Sequence, residues 1–140
     1  MRTEEELIFR ILMRHLSQVP GGRPIVYPGE VYPEAGKIPA PEWIIVSHTP
    51  NVPEVVVIDP TDEVLHRGVL GLGLMTSLTG AQAGAMGAAG ELAGYWQGLT
   101  LREAPVVLRV VGRPHVAGGY RDQGRWRTPV IVQYESIATQ

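Results

Sequence analysis

The sequence predicts an α+β domain: a largely antiparallel sheet of four to six strands with two helices packed on one face, in the order α-β-β-β-β-α-β-β. Three observations carry this. Residues 104–111 and 125–135 alternate, with Val106, Leu108 and Val110 opposing Val107, Arg109 and Val111, and Trp126, Val130, Val132 and Tyr134 opposing Arg125, Arg127, Gln133 and Glu135. That period-2 pattern marks antiparallel strands with one dry and one wet face. Near the N-terminus, Leu7, Ile8, Ile11, Leu12 and Leu16 recur at helical spacing. Between these ends, runs of strand character are separated by short turn-forming clusters, the arrangement of consecutive strands covered by helices on one side.

The first helix is expected over residues 4–17, opened by a capping box of Thr3 and Glu6 and stopped by Pro20, Gly21, Gly22 and Pro24. A short strand at 25–27 precedes an irregular surface loop, 28–41, that carries four prolines. Residues 42–49 include Trp43-Ile-Ile-Val46, apolar on both faces, which predicts a central strand. Pro50 and Pro53 break the run before a further strand at 54–58, and Asp59-Pro-Thr-Asp62 turns the chain into the longest strand, 63–76. There Leu70, Leu72 and Leu74 define one face, while Gly71 and Gly73 on the other leave room for close approach. The second helix, 80–97, places Ala85, Met86, Ala89, Leu92, Ala93 and Trp96 on one face and Gly84, Gly87, Gly90 and Gly94 on another. Four interior glycines weaken a helix by about 4 kcal/mol relative to alanine, so a close contact, within the domain or with a second subunit, must offset them. In the last third, Trp126 is expected in the core. The connection 112–124 is longer than a hairpin requires and is expected to contact a partner.

At 140 residues the chain is long enough for one core, and we read 1–140 as a single domain. A net charge of −2 gives no electrostatic footprint for direct nucleic-acid recognition. The lack of cysteine removes disulfides, thiolate nucleophiles and Cys-based zinc sites. Glu4, Glu5 and Glu6 lie where a signal peptide would begin its apolar core. The uncharged stretch 68–90 is long enough to cross a bilayer, but Thr76, Ser77, Thr79 and Gln82 and its many small residues argue against a spanning helix. Eleven of the twelve basic residues are arginine, which suits planar interface contacts and equally reflects GC-rich coding.

No catalytic, cofactor or metal site is legible. His15, His48, His66 and His115 lack metal-ligand spacing, and His15 is expected beside the apolar stripe of the first helix. There is no Gly-x-Ser-x-Gly elbow and no phosphate loop, and Gly71-Leu-Gly73 lacks the third glycine of a dinucleotide fingerprint. The acidic cluster Asp59, Asp62 and Glu63 departs from a calcium loop and reads as a solvated turn. An acid/base group of His48, His66 and Asp59 is the enzyme alternative. By contrast, Tyr120-Arg-Asp122 followed by Arg125-Trp-Arg127 has the composition of a binding hot spot.

Several segments together are similar to one known family. Trp43-Ile-Ile-Val-Ser-His-Thr-Pro-Asn51, His66-Arg-Gly-Val-Leu-Gly71, the small-residue helix, Val110-Val-Gly-Arg-Pro114, Gly118-Gly-Tyr-Arg-Asp122 and Arg125-Trp-Arg-Thr-Pro-Val-Ile-Val-Gln-Tyr134 resemble the tail terminators of long-tailed bacteriophages, the minor tail protein U type. The resemblance implies a non-enzymatic virion tail and neck protein, assembled in the host cytoplasm. Such a protein forms a homo-oligomeric ring, commonly hexameric, on the end of the tail tube, halts tube growth and meets the head–tail connector. Its expected partners are therefore itself, the tube protein and the connector protein, with no membrane. The alternative within the same setting is another neck component, a head-closure or tail-completion protein. A heterologous ring contact uses two different patches per subunit. One is assigned to the glycine face, Gly84, Gly87, Gly90 and Gly94, and the other to a sheet edge or the loop after Gly112, through Arg113, His115, Tyr120, Arg121, Asp122 and Arg125.

Overall fold

The computed structural model describes residues 3–33, 37, 39–50, 54–55, 64–79 and 82–138. Two helices, α1 (Glu4–Ser17) and α2 (Gln82–Trp96), accompany nine strands: β1 (Ile25–Val26), β2 (Trp43–Pro50), β3 (Glu54–Val55), β4 (Val64–Thr76), β5 (Thr100–Glu103), β6 (Val106–Val110), β7 (His115–Val116), β8 (Tyr120–Asp122) and β9 (Arg125–Ala138). The α+β class holds, with three corrections. The sheet is mixed, because β1 runs parallel to β2. It has more strands than expected, because β5, β7 and β8 carry too few residues to register a periodicity. The strands follow the path β1-β2-β4-β9-β6-β5, with β3 on β4 and β7 and β8 on β9.

The spine is the β4–β9 ladder, which pairs antiparallel from Val64↔Ala138 to Thr76↔Trp126. It fixes the two faces of the sheet. Ile44, Val46, Leu70, Leu72, Leu74, Val130, Val132, Tyr134, Val106, Leu108 and Val110 all point to one side and are buried. Helix α1 lays Leu7, Ile8, Ile11, Leu12 and Leu16 on that side, and α2 adds Ala85, Ala89, Leu92, Ala93 and Trp96. Both helices therefore cover one face, as the patterns require. Thr3 caps α1, its hydroxyl accepting from the Glu6 amide at 3.2 Å, which satisfies one of the free amide groups of the first turn. His15 sits where the helices meet, stacked on Tyr95 at 4.3 Å and edge-on to Trp96 at 4.8 Å. The Tyr95 hydroxyl donates to its carbonyl oxygen at 2.6 Å.

Beneath the opposite face lies a small second cluster. Val26, Trp43 and Met75 are buried there, with Tyr32 folded back from the 28–41 loop against Trp43 at 5.1 Å between ring centroids. The Tyr32 hydroxyl accepts from the Ala40 amide at 2.8 Å, closing that loop on itself.

Further sequence expectations are corrected. Met86 does not join the buried face of α2; it is 44% exposed, because helical position alone does not tell which edge of an apolar stripe the sheet reaches. Trp126 is only half-buried: its indole packs against the backbone of Gly119, where an added Cβ would stand 2.5 Å from ring atom Cε2. The tryptophans that fill clusters are Trp96 and Trp43. Strand β2 is central only in its first half. Its pairing with β1 covers Ile44 and Ile45 and stops there. Finally, side chains rather than a helix or backbone use the space above the β4 glycines: Ser47 over Gly71, the Arg127 guanidinium over Gly73, and the Tyr134 ring over Gly68. The proposed continuation of β3 to residue 58 and the turn containing Asp59, Asp62 and Glu63 lie outside the described residues.

Candidate functional site

The glycines of α2 face outward. A Cβ added at Gly84, Gly87, Gly90 or Gly94 would meet nothing within 4 Å beyond the helix itself, and all four residues are exposed. Packing against the domain's own sheet therefore does not account for them among the described residues. The stripe is a smooth helix surface with one charged residue, the exposed Glu91, at its edge, and elsewhere closely approachable by another backbone.

Sequence-distant parts of the expected interface meet beside this stripe. Gly90, Ala93, Gly94 and Gln97 form one wall of a groove of about 370 Å³, and Arg113, Pro114, His115 and Val116 form the other. Strand β7 brings them together by pairing His115↔Ile131 and Val116↔Val130 on the outer side of β9. Arg113 and His115 are exposed while Pro114 is buried, so the proline anchors the segment and the two basic side chains face solvent at the groove mouth.

The rest of the 112–124 connection is not a free loop. After β7, strand β8 continues along β9 with Tyr120↔Arg127, Arg121↔Trp126 and Asp122↔Arg125. The actual turn is Gln123 and Gly124, both at positive φ (+50° and +77°), as tight two-residue hairpins demand. The register separates the expected contact residues. Tyr120, Asp122 and Arg125 share the face away from the helices, and Arg121 points to the other. Tyr120 is 47% exposed. Asp122 accepts from Arg127 Nη1 at 3.1 Å. Arg125 lies 5.0 Å from the centroid of the Trp43 ring and donates to the Pro41 carbonyl at 3.2 Å. Trp43 and Arg127 also belong to this cluster; Arg127 stands in the hot-spot segment of the sequence, whereas Trp43 does not. The alternation in 125–135 already put Arg127 beside Arg125, whereas Trp43 arrives only through the β2–β4–β9 register.

The histidines of the enzyme alternative occupy a different place, a pocket of about 290 Å³ under the start of α1, lined by Glu5, Ile8, Phe9, His48, Pro50, His66, Arg67 and Tyr134. His48 Nε2 and the Tyr134 hydroxyl are 2.6 Å apart, and His66 Nε2 is 2.7 Å from Glu4 Oε2. Burial pushes the His48 ring below its ordinary pKa and lifts the Tyr134 phenol to about 12. A neutral His48 accepting from an un-ionised phenol is a satisfied buried pair. His66, tied to Glu4, fastens helix α1 to β4. Asp59 lies outside the described residues. Among those residues no three His, Asp or Glu side chains converge as metal ligands, and no helix is long and apolar enough to cross a membrane.

The most distinctive surfaces are thus an unpacked glycine helix, a basic-lipped groove and an aromatic–arginine hairpin, the equipment of a protein that contacts other proteins. The family model of the phage tail terminator proteins matches residues 7–134, and the chain belongs to that family, one of structural phage tail proteins. A solved structure aligns over 99% of this chain and 97% of its own at 15% identity, with a TM-score of 0.73, a likeness of fold. No curated protein matches the sequence.

Proposed function

We propose that this protein ends the phage tail: it assembles as a ring, six-membered by the family resemblance, on the tip of the tail tube, stops further tube polymerisation and offers its other rim to the head connector. The observation that carries the reading, beside family membership, is the exposed glycine stripe. The glycines cost about 4 kcal/mol in helix propensity yet make no contact within the subunit on their own face, while the opposite face of α2 packs in the core; a close-packed neighbour gives that bare face its use. The groove beside the stripe and the Tyr120–Arg125 hairpin lie on different parts of β9, as the two unlike patches of a head-to-tail contact require. The work is done by surfaces, not by a reactive pocket.

The test is tail length. Alanine at Tyr120, Arg121 and Arg125 together should give overlong tails by electron microscopy, because an unterminated tube keeps adding subunits. Tails of normal length left unattached to heads would instead assign the protein to head closure or tail completion, and normal attached tails would remove the hairpin from the contact.

A further inference from the structure

The sheet ends in two bare backbone edges. At one end, β1 pairs with β2 only at Ile44 and Ile45, and β3 meets β4 further along, at Val64 and Leu65. Among the described residues no strand therefore lies outside Ser47–Pro50, and three of these four residues are exposed. The Ile44 amide donates outward, to the Pro24 carbonyl at 2.9 Å, so by the two-residue period the His48 amide and the His48 and Pro50 carbonyls point the same way. At the other end, β5 pairs with β6 alone. The Val110 amide donates to the Leu99 carbonyl, which with the register sets the bonded pairs at Leu101↔Leu108 and Glu103↔Val106 and turns the amides and carbonyls of Thr100 and Arg102 outward. An open row of this kind is a template for one more strand. On the helix side of the β2 edge lies the pocket lined by Ile8, Phe9, His48 and Pro50. Phe9 is half-buried, stands 5.8 Å from the His48 ring and is not part of the main core cluster.

We infer that the two edges are partners: β5 of a second copy of this chain pairs along Ser47–Pro50, so that each copy accepts a strand at β2 and donates one at β5. Three matches select this occupant. The lengths agree, since β5 has four residues whereas β7 and β8, on the same side of the sheet, have two and three. The directions agree, since four antiparallel steps lead from β2 to β5 and both therefore run the same way; a rotation about an axis near the strand direction sets β5 parallel to β2, as β1 already is. The faces agree, since Leu101 shares the helix side with Leu108 and is only half-buried in its own subunit, so it arrives beside His48 and Phe9. This is strand addition, in which main-chain bonds give affinity and side-chain pockets give specificity. Because the two edges are unlike, the joint is head-to-tail and closes into a ring when the rotation per subunit divides a full turn. The inference rests on the ring reading and deepens it by naming the joint.

The test measures self-association of the full chain by sedimentation equilibrium, with circular dichroism as the control for folding. Arg102→Pro removes an outward amide and none of the β5–β6 bonds, and should weaken association about tenfold, whereas Arg102→Ala keeps the amide and should stay within about threefold of the wild type. Phe9→Ala should weaken association about fivefold through the lost aromatic contact. The chain has no cysteine, so Thr49→Cys with Thr100→Cys reads the joint directly. Within one subunit the two strands are four spacings, about 19 Å, apart, too far for a disulfide, and oxidised rings should run as a covalent ladder on a denaturing gel. Arg102→Pro that folds and associates like the wild type overturns the inference and leaves the ring reading standing; if that variant does not fold, the ladder decides. Rings that form without the ladder also overturn it and leave the edges to a strand of another protein. Equal losses in Arg102→Pro and Arg102→Ala overturn backbone pairing in favour of a side-chain contact. A wild type that stays monomeric even with tail tube present overturns both readings.

Discussion

Replacing Gly87 and Gly90 of α2 by alanine separates what a subunit needs from what an assembly needs. Both residues are exposed, and an added Cβ at either meets nothing within 4 Å outside the helix. No clash therefore subtracts from the propensity gain, and each change stabilises the folded subunit by about 1 kcal/mol through helix preference and a less entropic unfolded chain. Two such changes sum to about 2 kcal/mol, because neither methyl meets a common neighbour. For a chain of this size that is a rise of about 6 °C in melting temperature. If the stripe is the ring contact, the same methyl groups hold the neighbouring backbone off and association weakens. Chemical denaturation of the dilute subunit, paired with sedimentation at ring-forming concentration, reads both effects. A double variant that is more stable and assembles unchanged refutes the interface argument. One that gains no stability refutes the claim that the stripe is unpacked.

The remaining predictions concern the pocket under α1 and the histidine His15 between the helices. Gly68→Ala puts a Cβ 2.6 Å from the Tyr134 ring atom Cζ, so it should cost about 2–3 kcal/mol by forcing a packed aromatic to move; urea unfolding should show it, and Tyr134→Leu in the same chain should relieve part of the loss. Burial lowers the His15 and His48 pKa values below the ordinary 6.5. The unfolded chain then binds more protons, so stability is full above pH 6.5 and falls as pH drops through the lowered folded values. His48→Gln should flatten part of that acid slope in denaturation midpoints measured from pH 7 to 4, and an unchanged slope would remove His48 from the account.

Elements with a long, clean period were legible residue by residue. Helix α1 runs over Glu4–Ser17 as its stripe and cap require, and β4 and β9 extend along their apolar alternation. The alternation also assigned faces correctly: Val106, Leu108 and Val110 are buried and Val107, Arg109 and Val111 exposed. Period, capping chemistry and the count of apolar residues act locally, so a single sequence reveals them. The glycine stripe was legible as a stripe, but whether the domain covers it depends on how far the sheet extends beneath α2. The 112–124 segment was misread as a free loop because β7 and β8 have no period of their own and become strands only by pairing with β9.

The sequence by itself determined the class of fold, the helices, the long strands and the wet and dry side of each, and by its family pattern the kind of protein. Only the tertiary structure decided that α2 turns its glycines to solvent, that Trp43 and not Trp126 is buried, and that β7 and β8 join the edge of β9. Each of these depends on which strands lie side by side and in what register, a matter of contacts between residues far apart in the chain, where one step of register carries a side chain from one face to the other.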